Sequence, residues 1–255
     1  MILDKIIEYK RFEVEERKRD LPLSSFINEI ELKETKFHEK LSKKGISLIA
    51  EVKKASPSKG IIRESFDPIE IAETYEKSNV DAISVLTDKK FFQGDLSYLE
   101  KIAKTIKTPL IRKEFIIDEY QIYEAKRYGA SAILLIGEVL DYKTLNSFIE
   151  KAFELKLDVL LEVHSEEILK KALDTQTKII GINNRNLQTF EVSLRNSIDL
   201  REKIDGSRLV VAESGIRTRE DVILLEKNGI DAMLVGETFM REDDINKKIR
   251  ELMGG

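Results

Sequence analysis

The sequence predicts an α/β chain: a closed (β/α)8 TIM barrel behind an N-terminal helical extension. Three observations predict it. Eight short runs rich in Val, Ile and Leu recur between residues 46 and 236, each followed by an amphipathic helical stretch. The runs are almost continuously apolar, as suits parallel strands buried on both faces. A chain of 255 residues also has the length at which such a barrel commonly forms one domain. Residues 1–255 are therefore read as a single barrel domain, with residues 1–45 as the extension.

The extension comes first. Ile2, Leu3, Ile6, Ile7 and Val14 recur at roughly helical spacing, and a second short helix is expected over residues 36–43. The strands then follow in order. They are "ISLIAEV" at 46–52, "DAISVL" at 81–86, "PLIRKEF" at 109–115, "SAILLIG" at 131–137, "DVLLEV" at 158–163, "KIIGINN" at 178–184, "RLVVAES" at 208–214 and "DAMLVG" at 231–236. Helix starts between them carry caps. Asp67-Pro68-Ile69-Glu70 sets an N-cap, a first-turn proline and a third-position glutamate in sequence. Asp118, Asp141, Ser165, Ser193 and Thr218 are placed to cap the following helices, and Gly129 and Gly229 to stop helices just before new strands. A faint repeat runs through "NVDAISVL", "YGASAILLI" and "NGIDAMLV". Ala82, Ala132 and Ala232 follow one another at spacings of 50 and then 100 residues, which makes their strands the second, fourth and eighth. An open doubly wound sheet is the competing architecture, but it would usually carry a G-x-G-x-x-G loop after its first strand. The sequence has no such loop, and no Walker-type loop.

Composition narrows the chemistry. The chain holds 43 Lys and Arg against 47 Asp and Glu, so its net charge of −4 gives no general attraction to nucleic acid or anionic membrane. Cysteine is absent, which excludes disulfides and thiolate catalysis. With two histidines, His38 and His164, a histidine-built metal site is not expected. The N-terminal stretch is charged throughout, without a signal-peptide core, and no window approaches a membrane span. The expectation is a cytoplasmic protein without an obligate partner, a monomer. The abundance of Lys and Glu and the missing Cys lean toward a warm habitat.

In such barrels the chemistry sits at the C-terminal ends of the strands. Strand one ends in Glu51 and Lys53, two apart and so on one face. Strand three ends in Arg112, Lys113 and Glu114, strand five in Glu162, and strand six in Asn183, Asn184 and Arg185. Strand seven ends in Glu213, Ser214 and Gly215, and strand eight in Gly236 and Glu237. The charges fall mainly on odd strands, and alternate strands supply one interior layer. Glu51, Lys53, Lys113 and Glu162 are thus expected to meet in one pocket able to do acid–base work. Lys54 and Arg112 alternate away from it and read as rim ion pairs. Glu114 reads as a brace for a lysine or a turn cap, His164 as part of the loop opening the next helix, and His38 as surface or packing. Gly215 and Gly236 suit the phosphate site that such barrels build after strands seven and eight.

The motifs "AEVKKASPSKG", "SVLTDKKFFQG", "LIRKEFIID", "LLEVHSEE", "IIGINNRNL", "VAESGI" and "LVGETFMR" each fall at a strand end. In them, and over essentially the whole chain including its extension, the sequence resembles the indole-3-glycerol-phosphate synthase family of tryptophan biosynthesis. The resemblance implies ring closure of 1-(2-carboxyphenylamino)-1-deoxyribulose 5-phosphate with loss of carbon dioxide and water, without cofactor or metal. It implies Lys113 as general acid and Glu162 as the group that moves protons in dehydration. Lys53 would contact the substrate's anionic groups and assist acid catalysis. Glu51 and Asn183 would orient lysines and substrate hydroxyls, and Ser214 would position substrate. Ser56, Gly215, Gly236 and the backbone N–H of Glu237 map to the phosphate end, with Pro57 shaping the loop after strand one. Arg185 maps to the anthranilate end, and Phe92, Phe115, Leu134 and Leu187 to the apolar wall around its ring. The family usually carries aspartate where this chain has Glu114, so a small shift of Lys113 is expected. A phosphosugar isomerase on the same barrel would normally use an Asp or Cys pair where strand one here offers glutamate and lysine. A barrel kept only for binding would have lost some of these strand-end residues.

Overall fold

The computed structural model describes residues 2–186 and 189–255. Eight parallel strands close on themselves in chain order: β1 (Ser47–Val52), β2 (Ala82–Leu86), β3 (Leu110–Lys113), β4 (Ala132–Ile136), β5 (Asp158–Val163), β6 (Ile179–Asn183), β7 (Leu209–Glu213) and β8 (Ala232–Val235). The seam is the β1–β8 ladder, with Ser47 opposite Ala232 and Ala50 opposite Val235. Strand alternation divides the apolar residues into two sets. Leu48, Ala50 and Val52 of β1 pack outward against the helices, together with Ile83, Val85, Ile133 and Leu135 of later strands. Ile49, Ala82, Ile111, Ala132, Leu160, Ile179, Val211 and Ala232 form one apolar cluster inside the barrel. All three alanines of the repeat are accounted for: Ala82, Ala132 and Ala232 are interior residues of even strands. Asp81 and Asp231, which precede two of them, do one job twice. Each carboxylate accepts the N–H of the second residue of the neighbouring strand, from Leu48 and Val210, at 2.8 Å.

The extension is part of the fold's core. Helix α1 (Ile2–Asp20) leads, two 3-10 turns follow, and helix α2 (Phe37–Leu41) lies directly before β1. Phe37 and Leu41 are fully buried in the interior cluster, so α2 closes the N-terminal end of the barrel. The small alanines of the even strands leave room for this plug. Capping follows the sequence in most places. Asp67 accepts from the backbone of Ile69 and Glu70 ahead of Pro68, and Thr218 and Asp221 form a reciprocal capping box. Asp141 and Ser165 cap as expected, and Asp118 accepts from the N–H of Tyr120. Ser193 does not cap its helix. The carboxamide of Asn184 takes that role across space, accepting from both the N–H and the hydroxyl of Ser197.

Arg112 departs from the rim ion pair expected of it. It points outward as its parity requires, but α1 and the helix Tyr120–Arg127 cover that side, and its side chain is fully buried. Its guanidinium donates to Thr87 Oγ1 at 3.1 Å and to the Gln121 carbonyl at 2.7 Å, and lies 3.3 Å from Glu124 and 3.6 Å from Glu114. Lys10 of α1, also fully buried, completes the network with contacts of 2.9 Å to both Asp88 and Glu114. Such a network anchors α1 because each buried charge has partners; removing one partner would strand the others.

If the extension plugs the barrel, Phe37→Ala should cost about 3–5 kcal/mol, the usual loss for emptying a fully buried aromatic site. Urea denaturation would measure it. A loss below ~1 kcal/mol would show that α2 is only laid against the barrel.

Candidate active site

The odd strands bring their terminal charges to the floor of one cleft at the C-terminal end of the barrel, with a cavity volume of about 650 Å³. Lys113, at the end of β3, lies between two carboxylates. Its Nζ donates to Glu162 Oε2 of β5 at 2.7 Å and to Glu213 Oε2 of β7 at 2.6 Å. Asn183 of β6 donates to the other oxygen of Glu162 at 3.2 Å. On the opposite seam, Lys53 pairs with Glu51 Oε1 at 2.6 Å, and Ser84 of β2 lies within 3.5 Å of Oε2. Even strands leave space for these carboxylates. A Cβ on Gly181 would stand 2.3 Å from Glu213 Oε1, and one on Gly236 2.4 Å from Glu51 Oε1.

Burial and mutual charge set the protonation states. Burial lowers the Lys113 pKa, but Glu162, Glu213 and Glu51 outweigh it and hold the ammonium charged. Burial raises the Glu162 pKa, and Lys113, His164 and Asn183 more than offset it, keeping this carboxylate ionised. Glu213 moves the other way, to about 7. Burial dominates, the Glu162 charge adds to it, and Oε1 has no hydrogen-bond partner.

The remaining expected residues line the same cleft: Ser56, Pro57, Phe92, Phe115, Leu134, Arg185, Ser214, Gly215, Gly236 and Glu237. Ser56 and Gly60 belong to a two-stranded hairpin, Ala55–Ser56 with Gly60–Ile61, that rises from β1. The Phe92 and Phe115 rings face each other at 5.9 Å. Ser214 sits in the left-handed region at φ +69°, with its carbonyl held by Asn184 at 3.1 Å. Arg185 and Glu237, expected at opposite ends of a substrate, are 3.7 Å apart, and Glu237 also pairs with Arg241 at 2.9 Å. Leu187 lies outside the described residues. Glu114 turns its carboxylate away from Lys113, toward Lys10, Thr87 and Arg112. Its extra methylene serves the contact with α1.

Three features escaped the sequence reading. Glu213 is a direct partner of Lys113; it ends an odd strand and shares the parity of Glu51, Lys113 and Glu162, a signal that was present. Ile2, Leu3 and Ile6 of α1 form part of the cleft wall, which helical spacing alone does not reveal. His164 does open the loop before helix Glu166–Leu173, but its ring is largely buried behind Glu162.

Fold and cluster together define a TIM-barrel enzyme whose acid–base groups surround one buried lysine. The family model described as indole-3-glycerol phosphate synthase matches residues 3–252. The chain belongs to the indole-3-glycerol phosphate synthase family. Its relatives include the indole-3-glycerol phosphate synthases of Thermoanaerobacter pseudethanolicus, 49% identical over the full length of both chains, and Alkaliphilus metalliredigens, 49% identical over 100% of this chain and 99% of the relative. Among solved structures, the fold is similar to 3-hexulose-6-phosphate synthase of Salmonella typhimurium, with a TM-score of 0.66, 15% identity and coverage of 82% of this chain and 97% of that one. It is also similar to a mutant tryptophan synthase alpha-subunit of Pyrococcus furiosus, with a TM-score of 0.61, 19% identity and coverage of 82% and 98%. At those identities the likeness is one of fold.

Gly181→Ala should displace the Glu213 carboxylate and lower kcat by about 10²-fold, the scale of a misplacement near 1 Å. Gly206→Ala, where a Cβ meets open space, is the control and should leave kcat unchanged. Equal turnover in both variants would remove Glu213 from the working cluster. A pH effect follows as well. The Glu213 pKa lies above its unfolded value of 4.5, so its stabilising contribution is full below pH 4.5 and lost as pH rises through about 7. The stability of Glu213→Gln relative to the parent should therefore improve across that window, measured by urea titration at several pH values. A flat difference would mean that Glu213 titrates as an ordinary carboxyl.

Proposed function

We propose that the chain closes the indole ring of 1-(2-carboxyphenylamino)-1-deoxyribulose 5-phosphate, releasing carbon dioxide and water to give indole-3-glycerol phosphate. The observation that carries this reading is the Lys113 ammonium held between Glu162 and Glu213 in a cleft whose wall includes Phe92, Phe115 and Leu134. A proton donor beside an apolar wall suits an aromatic carbon attacking a carbonyl, where the oxygen gains charge as the bond forms.

The steps balance as follows. The ring carbon bearing the carboxylate attacks the ketone carbon, and Lys113 gives a proton to the ketone oxygen. The bond to the carboxylate breaks, carbon dioxide leaves, and its electron pair restores the aromatic ring. Lys113, recharged with a proton from solvent, gives a second proton to the new hydroxyl, which leaves as water, while Glu162, held ionised, takes a proton from the adjacent methylene carbon. Lys53, positioned by Glu51, meets the anionic groups of the substrate and assists the acid step. Asn183 and Ser214 orient hydroxyls. Arg185 is assigned to the anthranilate end, and Ser56, Gly215, Gly236 and the N–H of Glu237 take the phosphate, in a loop shaped by Pro57. Pairing with Arg241 at 2.9 Å offsets the Glu237 charge near that anion. The enzyme works as a cytoplasmic monomer on this phosphorylated small molecule.

The chain has no tryptophan, so indole formation would be read as fluorescence against a low background. Folded protein that gives no rise with this substrate would sink the reading. Lys113→Ala and Glu162→Gln should each cut kcat by about 10²–10⁴-fold, the reach of acid–base catalysis. Near-full turnover in Lys113→Ala would place the acid elsewhere.

A further inference from the structure

The proposed reaction consumes a proton that its own steps do not return. Two protons go to the ketone oxygen as it becomes water, and one comes back from the methylene carbon. The carboxylate departs as neutral carbon dioxide, so one proton must enter from solvent in each turnover. In the proposed reaction the substrate would occupy the cleft above Lys113. A supply from behind the carboxylates would need a group of intermediate pKa that reaches both Glu162 and the protein surface.

His164 stands there. Its Nε2 is 3.4 Å from Glu162 Oε1, and its Nδ1 is 3.1 Å from Glu138 Oε1. The side chain is 11% exposed and Glu138, in the loop after β4, is 20% exposed, so the line Glu138, His164, Glu162, Lys113 runs from surface to floor. The backbone holds the arrangement: the His164 N–H donates to Glu138 Oε1 at 3.0 Å. Neither contact is a straight hydrogen bond, although Glu138 lies close enough to raise the ring's pKa, and Glu138 Oε2 is buried without a partner. A modest ring rotation would align either nitrogen with a carboxylate already within 3.5 Å. An imidazole committed to structure would be expected to hold its partners in straight hydrogen bonds.

We propose that His164, set by Glu138, is a positioning residue that also passes the solvent proton to Glu162. The transfer moves one proton at a time: Nε2–H to the Glu162 carboxylate, Glu162 to Lys113, and a replacement from solvent to His164 by way of Glu138. No bond other than N–H and O–H changes. The charged groups facing His164 are Glu138, Glu162 and, through space, Glu213; the Asn196 amide meets only its carbonyl. Burial lowers its pKa and the three carboxylates more than offset this, so the ring holds a proton above the usual imidazole range.

This inference rests on the reaction proposed above. The test follows kcat against pH for the parent, His164→Asn and Glu138→Gln, by indole fluorescence. His164→Asn should lose about tenfold or more in kcat with KM changed less than twofold, short of the ~10²–10⁴-fold loss of a group acting on substrate itself. Added imidazole should restore turnover. Glu138→Gln removes a carboxylate that raises the His164 pKa, so the high-pH fall of kcat should move to lower pH. Unchanged kcat in His164→Asn, or a loss that imidazole does not reverse, overturns the proposal. If His164→Asn does not fold, a Glu138→Gln profile that superimposes on the parent overturns it. No indole signal from the parent would instead remove the reaction reading itself.

Discussion

One ammonium group between two carboxylates organises the molecule. Lys113, Glu162 and Glu213 form a buried triad of net charge −1, and Glu51 with Lys53 adds a neutral pair alongside. None of these charges would be tolerable alone inside a barrel; each is held by the others. Because the triad is short of one positive charge, one carboxyl is driven toward protonation, and the unpartnered oxygen of Glu213 identifies which one. A cluster that binds protons this readily suits a reaction that moves several of them.

The barrel supplies what such a triad needs. Odd strands deliver the charged side chains to one layer, and even strands withhold bulk at Gly181 and Gly236 so that the carboxylates fit. Beneath them, the interior apolar cluster and the Phe37–Leu41 plug keep water from the far end. Around the outside, Lys10 ties α1 to Asp88, which caps the turn carrying Phe92, and to Glu114, which lies between Lys113 and Phe115. The extension thus reaches the site from both ends of the barrel: α2 closes its base, and Ile2, Leu3 and Ile6 of α1 form part of its mouth.

Much of this was legible in the sequence, for physical reasons that can be named. Buried parallel strands must be apolar, so their runs stand out, and the period of two within them places Glu51 and Lys53 on one side and Arg112 on the other. The parity of strands then joins Glu51, Lys113 and Glu162 before any coordinates. Glu213 obeyed the same parity. In "VAESGI" the serine and glycine carry the more distinctive pattern, and the glutamate does not stand out beside them. Arg112 departs from a rim ion pair because parity sets which way a side chain points and not what covers it; the covering helix α1 lies about 100 residues earlier in the chain. Ser193 is not the cap because a cap can come from a neighbouring loop, as Asn184 shows.

The sequence by itself determined the architecture, the layer of interior charges and the family, since these depend on local periodicity and on motifs at strand ends. Only the tertiary structure decided which carboxylate is held ionised, which has its pKa pushed up, and what stands behind each. Protonation depends on distances between groups that lie 49 and 100 residues apart from Lys113 and on the water excluded between them. Those quantities exist only once the barrel has closed, when a residue such as His164 finds itself between two carboxylates that no spacing in the chain connects to it.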